Sequence, residues 1–332
     1  MPAFDPEHLQ RCLDEMKRRD VDVLILGRES NARYVCGATR LWLAGTRPFG
    51  PGCVVVRDRG TVHLLSTTDD LVPLAREQLF PMSWNPANIA AALAAIPGVA
   101  GARRVGVDGM TPLFAQLLPG VLPDATLTDG EELLASVRRV KSASDAAAIR
   151  AAIGVAEDAL RVALRELRPG VRERDLAGAF VEATGGLGVT TPEFDAVFHV
   201  IAADDAPASF ATGRAVEQGD MVVASVGVLA NGWVGRLART WPCGEPTKAQ
   251  RAAIVEWRAG MNAAAAPVCP GTRVGDLRTQ NTSVRGVGTG DELLDDDQRL
   301  QPGMVLAVRA RHEGVEGEDT FLVTDRGATM LT

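Results

Sequence analysis

Apolar residues recur along this chain at two different periods. Leu9, Cys12, Leu13 and Met16 follow Asp5-Pro6 at helical spacing. A helix is predicted there, with Asp5 as its cap and Pro6 in its first position. VDVLILG (21–27) is a continuous apolar run and reads as a buried strand. GCVVVRDRGTVHLLS (52–66) holds two such runs on either side of Asp58-Arg59-Gly60, the pattern of a hairpin. RRVGVDG (103–109) is a further short strand, and the Ala-rich stretch 87–96 is helical. Strands mixed with helices predict an α/β domain over about the first 130 residues. A charged connection, RRVKSASDAAAIR (138–150), leads into a long helix with the stripe Ile149, Ile153, Ala156, Leu160, Leu164 and Leu167, which RPG (168–170) ends. The domain boundary is placed near residue 140, giving domains 1–140 and 141–332.

Beyond that boundary the pattern repeats. RPGVRERDL (168–176) matches CPGTRVGDL (269–277), and GDMVVASV (219–226) matches PGMVLAVR (302–309). Each copy offers a Pro-Gly turn, a helix start and a Met-Val strand that opens a hairpin, so a pseudo-symmetric unit is expected. Pro169 and Pro270 are 101 positions apart, whereas Met221 and Met304 are 83 apart. The second copy is therefore eighteen residues shorter, about five helical turns.

Composition narrows the picture. The 332 residues are 46% hydrophobic and carry a net charge of −7. Nucleic acid is not an expected partner, because phosphate binding needs a basic footprint. No apolar run reaches the roughly 18 residues of a membrane span, and the charged N-terminus is not a signal peptide. The five cysteines, at 12, 36, 53, 243 and 269, are odd in number and lack C-x-x-C spacing. They read as reduced thiols of a cytoplasmic protein rather than as a disulfide framework or zinc knuckle.

Several segments together resemble the pita-bread fold of creatinase, prolidase and aminopeptidase P. They are RRVKSASDAAAIRAA at the domain junction, GDMVVASVGVLANGWVGRLARTWP, RGVGTG, LQPGMVLAVRARHE and EDTFLVTDRGATMLT. SNARYVCG and RPF (47–49) resemble the N-terminal domain of the same branch. The resemblance implies an α/β creatinase-like N-terminal domain followed by an α+β pita-bread domain with a shortened second half. It also implies a homodimer in which the N-terminal region around Trp42 and Arg47 reaches the partner's site. The peptidases of the family bind two divalent ions through two aspartates, a histidine and two glutamates. Those positions fall here at Ser225, Arg236, Arg285, Arg309 and Glu318, so one ligand of five is kept. The proton-shuttling histidine of creatinase falls at Ala208, beside Ser209.

Arginine stays protonated and cannot ligate a cation. Neither a metal nor another cofactor is expected. Strand alternation puts Arg309 and Arg311 on one face, opposite Met304, Leu306 and Val308. If Arg236, Arg285 and Arg309 meet Glu318, three cations face one anion. Two like charges about 5 Å apart repel by roughly 3 kcal/mol at an effective dielectric near 20. Such a pocket needs a bound anion, and guanidinium forks suit a small carboxylate or phosphate. The other reading pairs Arg309 and Arg311 with Glu313, Glu316 or Glu318, and Arg285 with Asp291 or Glu292. Ser225 and Ser209 join the candidate substrate-binding set.

Glu318, His199 and His312 are the candidate proton-transfer residues. A core role for His199 and a surface role for His312 stand beside that reading. GVGTG (286–290) is explained by the turn of the family rather than by a phosphate loop. LDDDQR (294–299) lacks the spacing of a calcium loop. The first functional reading is a metal-independent creatinase-like enzyme, a hydrolase or lyase acting on a C–N bond of a small carboxylate-bearing metabolite held by the arginine cluster. The second is an inactive binding or interaction protein. A Xaa-Pro metallopeptidase is placed last.

Overall fold

The computed structural model describes residues 5–38, 52–66, 72, 74–81, 83, 85–201 and 210–332. Trp42, Arg47, Ala208 and Ser209 lie outside them. The chain divides into two compact units, Met1–Arg138 and Arg139–Thr332.

The first unit opens with α1 (Pro6–Arg18), whose first turn is capped by the Asp5 carboxylate accepting from Glu7 N at 2.9 Å. There follow β1 (Val23–Leu26), α2 (Glu29–Cys36), β2 (Cys53–Val56), β3 (Thr61–Ser66) and β4 (Leu79–Pro81). The unit continues with α3 (Pro86–Ala95), β5 (Arg104–Val107), α4 (Pro112–Val121), β6 (Thr126–Asp129) and α5 (Gly130–Arg139). The six strands lie in the order β4-β3-β2-β1-β5-β6. β2 and β3 form the expected antiparallel hairpin, turning through Gly60 at φ +60°, a left-handed conformation that favours glycine. β1, β5 and β6 run parallel. Apolar residues cover both faces of this sheet, which is why its strands read as unbroken hydrophobic runs rather than alternating ones.

The second unit begins with α6 (Ala143–Leu164) and α7 (Glu173–Gly186). Then come β7 (Val197–Val200), β8 (Met221–Ala230), β9 (Trp233–Pro242), α8 (Lys248–Ala265), β10 (Thr282–Val287), β11 (Asp291–Glu292), β12 (Val305–His312), β13 (Val315–Thr324) and β14 (Gly327–Met330). The strand order is β11-β10-β12-β13-β9-β8-β7, with β14 added on β13. Two long hairpins, β8–β9 and β12–β13, meet side by side where Glu318 pairs with Ala238. The repeat read from the sequence is this pair of hairpins. After RPGVRERDL the chain builds α7, whereas after CPGTRVGDL it builds only the short 3-10 turn Val274–Leu277. That accounts for the missing helix of the second copy.

Alternation sorts this sheet into a packed face and a chemical face. Val222, Ala224, Val226 and Val228 pack with α6 and α7, and Leu306, Val308 and Ala310 pack with α8. The intervening residues face the other way. Cys12, Cys36, Cys53 and Cys243 are buried free thiols and Cys269 is half-buried. Among the described residues no helix is long and apolar enough to cross a membrane.

Candidate functional site

Strand register lays the candidate residues in three rows across the chemical face. The middle row runs Ser283, Arg309, Glu318, Ala238, Ser225, each residue paired with the next. Two residues along on one side lie Arg285, Ala307, Thr320, Arg236 and Gly227. On the other side lie Arg311, Glu316, Thr240, Val223 and His199. Side-chain contacts tie the β13–β9 junction at both flanking rows. Thr320 Oγ1 donates to Arg236 O at 3.5 Å, and Thr240 Oγ1 donates to Glu316 O at 2.7 Å. Arg236, Arg285, Arg309, Arg311, Glu318, Ser225 and His199 thus share one surface; for Arg309 and Arg311 this is what alternation predicts.

Their charges are organised differently from the expectation of an uncompensated cationic pocket. Arg236 is only 3% exposed. Its Nε donates to Glu318 Oε1 at 2.6 Å and its Nη1 donates to Glu193 Oε1 at 2.7 Å. Its guanidinium also stands 5.2 Å from the centre of the Phe194 ring, within cation–π range. Glu193 and Phe194 reach this place because position 227 is glycine. A Cβ there would lie 2.4 Å from Glu193 Oε2 and 2.6 Å from Phe194 Cε1. Arg309 and Arg311 both grip Glu316, each through one nitrogen and each on a different carboxylate oxygen. Of the pairings considered for these two arginines, the one with Glu316 is realised. Four guanidinium groups (Arg236, Arg285, Arg309, Arg311) share this face with three carboxylates (Glu193, Glu316, Glu318), so the cations there are largely compensated.

The dinuclear metal arrangement implied by the resemblance does not fit these residues. Glu318 is the one carboxylate at the five positions, and the Arg236 guanidinium already occupies it. A cation brought there would meet that fixed positive charge at hydrogen-bonding range.

The three proton-transfer candidates do not converge. Glu318 is buried at 2% exposure beneath Arg236. His199 is on the same face, but at the opposite edge of the sheet. Three strand spacings separate it from Glu316, about 14 Å at ~4.8 Å per strand. Its Nδ1 lies 3.3 Å from Glu173 Oε1. Glu173, fully buried near the start of α7, also accepts from Val200 N at 2.8 Å and Thr212 N at 2.9 Å. His312 is a correction: it lies on the helix-packed face. Its even position on β12 turns it toward α8, where its Nε2 lies 2.8 Å from Glu256 Oε2. Ser225 lies at 6% exposure in the middle row.

Sequence reasoning missed Glu193, Phe194 and Glu173. Gly227 was the available signal, since a glycine within a Val/Ala strand marks a close approach. Gly286 and Gly288 of RGVGTG serve the same purpose. A Cβ at Gly288 would lie 2.2 Å from Glu292 Oε1, and one at Gly286 would lie 2.8 Å from Glu292 Cβ. They make room for Glu292, whose Oε2 accepts from the buried Lys141 Nζ at 2.5 Å.

Comparison with known proteins agrees with this architecture. The Creatinase/Prolidase N-terminal domain model matches residues 8–140, and the Metallopeptidase family M24 model matches residues 147–284. A Xaa-Pro dipeptidase of Pyrococcus furiosus is 21% identical, over 98% of this chain and 97% of its own. The solved prolidase of Pyrococcus horikoshii OT3 superposes with a TM-score of 0.79 at 20% identity, covering 98% of each chain. A Xaa-Pro dipeptidase from Bacillus anthracis gives a TM-score of 0.80 at 18% identity, covering 98% of this chain and 97% of its own. The α/β unit, the doubled hairpins and the whole-length likeness lead to one assignment: the chain belongs to the creatinase, prolidase and aminopeptidase P family.

Proposed function

We propose that this protein is a metal-independent member of the family that holds a small carboxylate-bearing molecule on its arginine-lined face and acts on a C–N bond of that molecule. The observation that carries the reading is the seat of Arg236 between Glu193 and Glu318. It supports a site whose fixed charge is a guanidinium instead of a divalent ion. Arg309 and Arg311 stand on the same face, and Arg309 Nε makes no hydrogen bond among the described residues, which suits the pair to an incoming carboxylate. His199, 3.3 Å from Glu173, and Glu318 are the proton-transfer candidates on this face.

A second reading, ligand binding without turnover, is favoured by the distance of His199 from the arginines. The printed names of the relatives point to a third chemistry, Xaa-Pro dipeptide hydrolysis. One experiment orders the three. Thermal unfolding is followed with acetate, succinate or inorganic phosphate, and the purified protein is analysed for manganese, cobalt and zinc. The proposal expects stabilisation by carboxylates that is lost in Arg309→Ala, unchanged in His312→Ala, and independent of added metal. Stoichiometric metal together with Xaa-Pro dipeptide turnover would overturn it. Carboxylate binding without any product from C–N substrates would leave the second reading.

A further inference from the structure

Arg309 and Arg311 present a pair of guanidinium groups that already hold a carboxylate, and that carboxylate belongs to the protein. Glu316 is 7% exposed and its backbone is pinned. Its N–H donates to Thr240 Oγ1 at 2.9 Å, and Thr240 Oγ1 donates back to its carbonyl at 2.7 Å. The side chain then bridges Arg309 Nη2 and Arg311 Nε. Glu316 is an incomplete occupant. The Arg309 fork consists of Nε and Nη2, but Glu316 takes only Nη2. Arg309 Nε is buried and makes no hydrogen bond among the described residues. A buried guanidinium N–H without an acceptor is costly, and a carboxylate accepting both N–H groups side-on would satisfy it. The two arginine side chains are 24% and 42% exposed, so a solute can approach them from the chemical face.

We infer that Glu316 is a built-in competitor: an internal carboxylate that occupies the Arg309–Arg311 pair in the absence of ligand and is displaced when a carboxylate-bearing ligand takes the full Arg309 fork. The inference rests on the carboxylate-binding reading above and adds its regulation. Glu316 sets a threshold concentration below which the pair stays closed. It also selects ligands that bind side-on over those that offer a single oxygen.

The test is Glu316→Gln, which keeps the shape and removes the competing charge. In low-salt buffer without carboxylates this variant melts below the unmodified protein, because two cations have lost their shared anion. Succinate restores it, with a larger thermal shift than in the unmodified protein and an apparent Kd about tenfold lower by calorimetry, equal to about 1.4 kcal/mol. Glu316→Asp retains the anion and is expected to bind succinate as the unmodified protein does. It also controls for a folding defect, checked by circular dichroism. If succinate binds the unmodified protein in an Arg309-dependent way and Glu316→Gln binds it no tighter, the competitor role is overturned while the binding site stands. If no carboxylate binds either protein, both the site and its regulation fall.

Discussion

Replacing Arg236 with methionine removes one guanidinium and leaves two buried carboxylates facing each other. Glu318 is 2% exposed and the Glu193 side chain 9%, so neither gains enough water to offset the loss. Breaking a buried pair by deleting one partner costs about 3–5 kcal/mol. The lost contact with Phe194 adds about 0.5–1 kcal/mol. Methionine fills most of the volume, so little of the loss comes from a cavity. A loss of about 4 kcal/mol at a urea dependence of ~2 kcal/mol per molar moves the unfolding midpoint by about 2 M. Tryptophan fluorescence is a suitable probe, since Trp233, Trp241 and Trp257 all lie in the C-terminal unit. The companion variant Arg236→Met with Glu193→Gln and Glu318→Gln removes all three charges. It should recover most of the stability, because a neutral set of similar volume replaces a buried ionic one at little cost. A single variant within about 1 kcal/mol of the parent, or a triple variant no better than the single, would refute the claim that this guanidinium is the fixed counter-charge of the site.

Two further outcomes follow from particular contacts. Gly235→Ala places a Cβ 2.1 Å from Ala152 C and 2.2 Å from Ala152 O on the α6 backbone; backbone cannot yield as a side chain can, so a loss of about 3 kcal/mol or more is expected, a fall in Tm of about 6–12 °C, and an unchanged Tm would show that β9 does not press on α6. In the N-terminal unit, the hydrogen bond from Arg18, with support from Arg19, pulls Glu15 from its ordinary 4.5 down to about 2 against the opposing effect of burial. A lowered folded value means stability present above pH 4.5 and lost as pH falls toward 2. The stability gap between the parent and Glu15→Gln should narrow over that window, and a constant gap would contradict the pairing.

Much of the fold was legible because its signals are local. The Asp5-Pro6 cap, the apolar runs of the first sheet and the doubled Met-Val hairpins each declare themselves within a few residues. The shortened second copy was visible as a spacing. The shared face of Arg236, Arg309 and Glu318 followed from alternation plus the resemblance. Charge compensation was only partly legible. Glu316 lies seven residues from Arg309 and could be named among its possible partners, whereas Glu193 meets Arg236 across 43 positions through a tertiary contact that Gly227 permits. The even position of His312 on β12 sets it apart from Arg309 and Arg311 and beside Glu256, a placement that strand alternation encodes. The Glu173 contact with His199 depends on how α7 packs under β7, which no sequence period encodes.

The arrangement around Arg236 also bears on whether the site is a relic. Losing metal ligands by drift would leave unsatisfied polar groups, because a buried guanidinium without acceptors costs several kcal/mol. Arg236 instead has a carboxylate on each side and an aromatic face alongside, and the second carboxylate can stand there only because Gly227 has no Cβ. Arg309 and Arg311 likewise share an anion whose backbone is fixed by Thr240. Each arginine depends on a partner contributed by a different element: β13 for Glu318 and Glu316, the segment before β7 for Glu193. Such mutual dependence means that no one of these positions could have changed alone without a penalty. The face is an interdependent charge network, and Arg309 Nε, which makes no hydrogen bond among the described residues, lies where an incoming carboxylate would complete it.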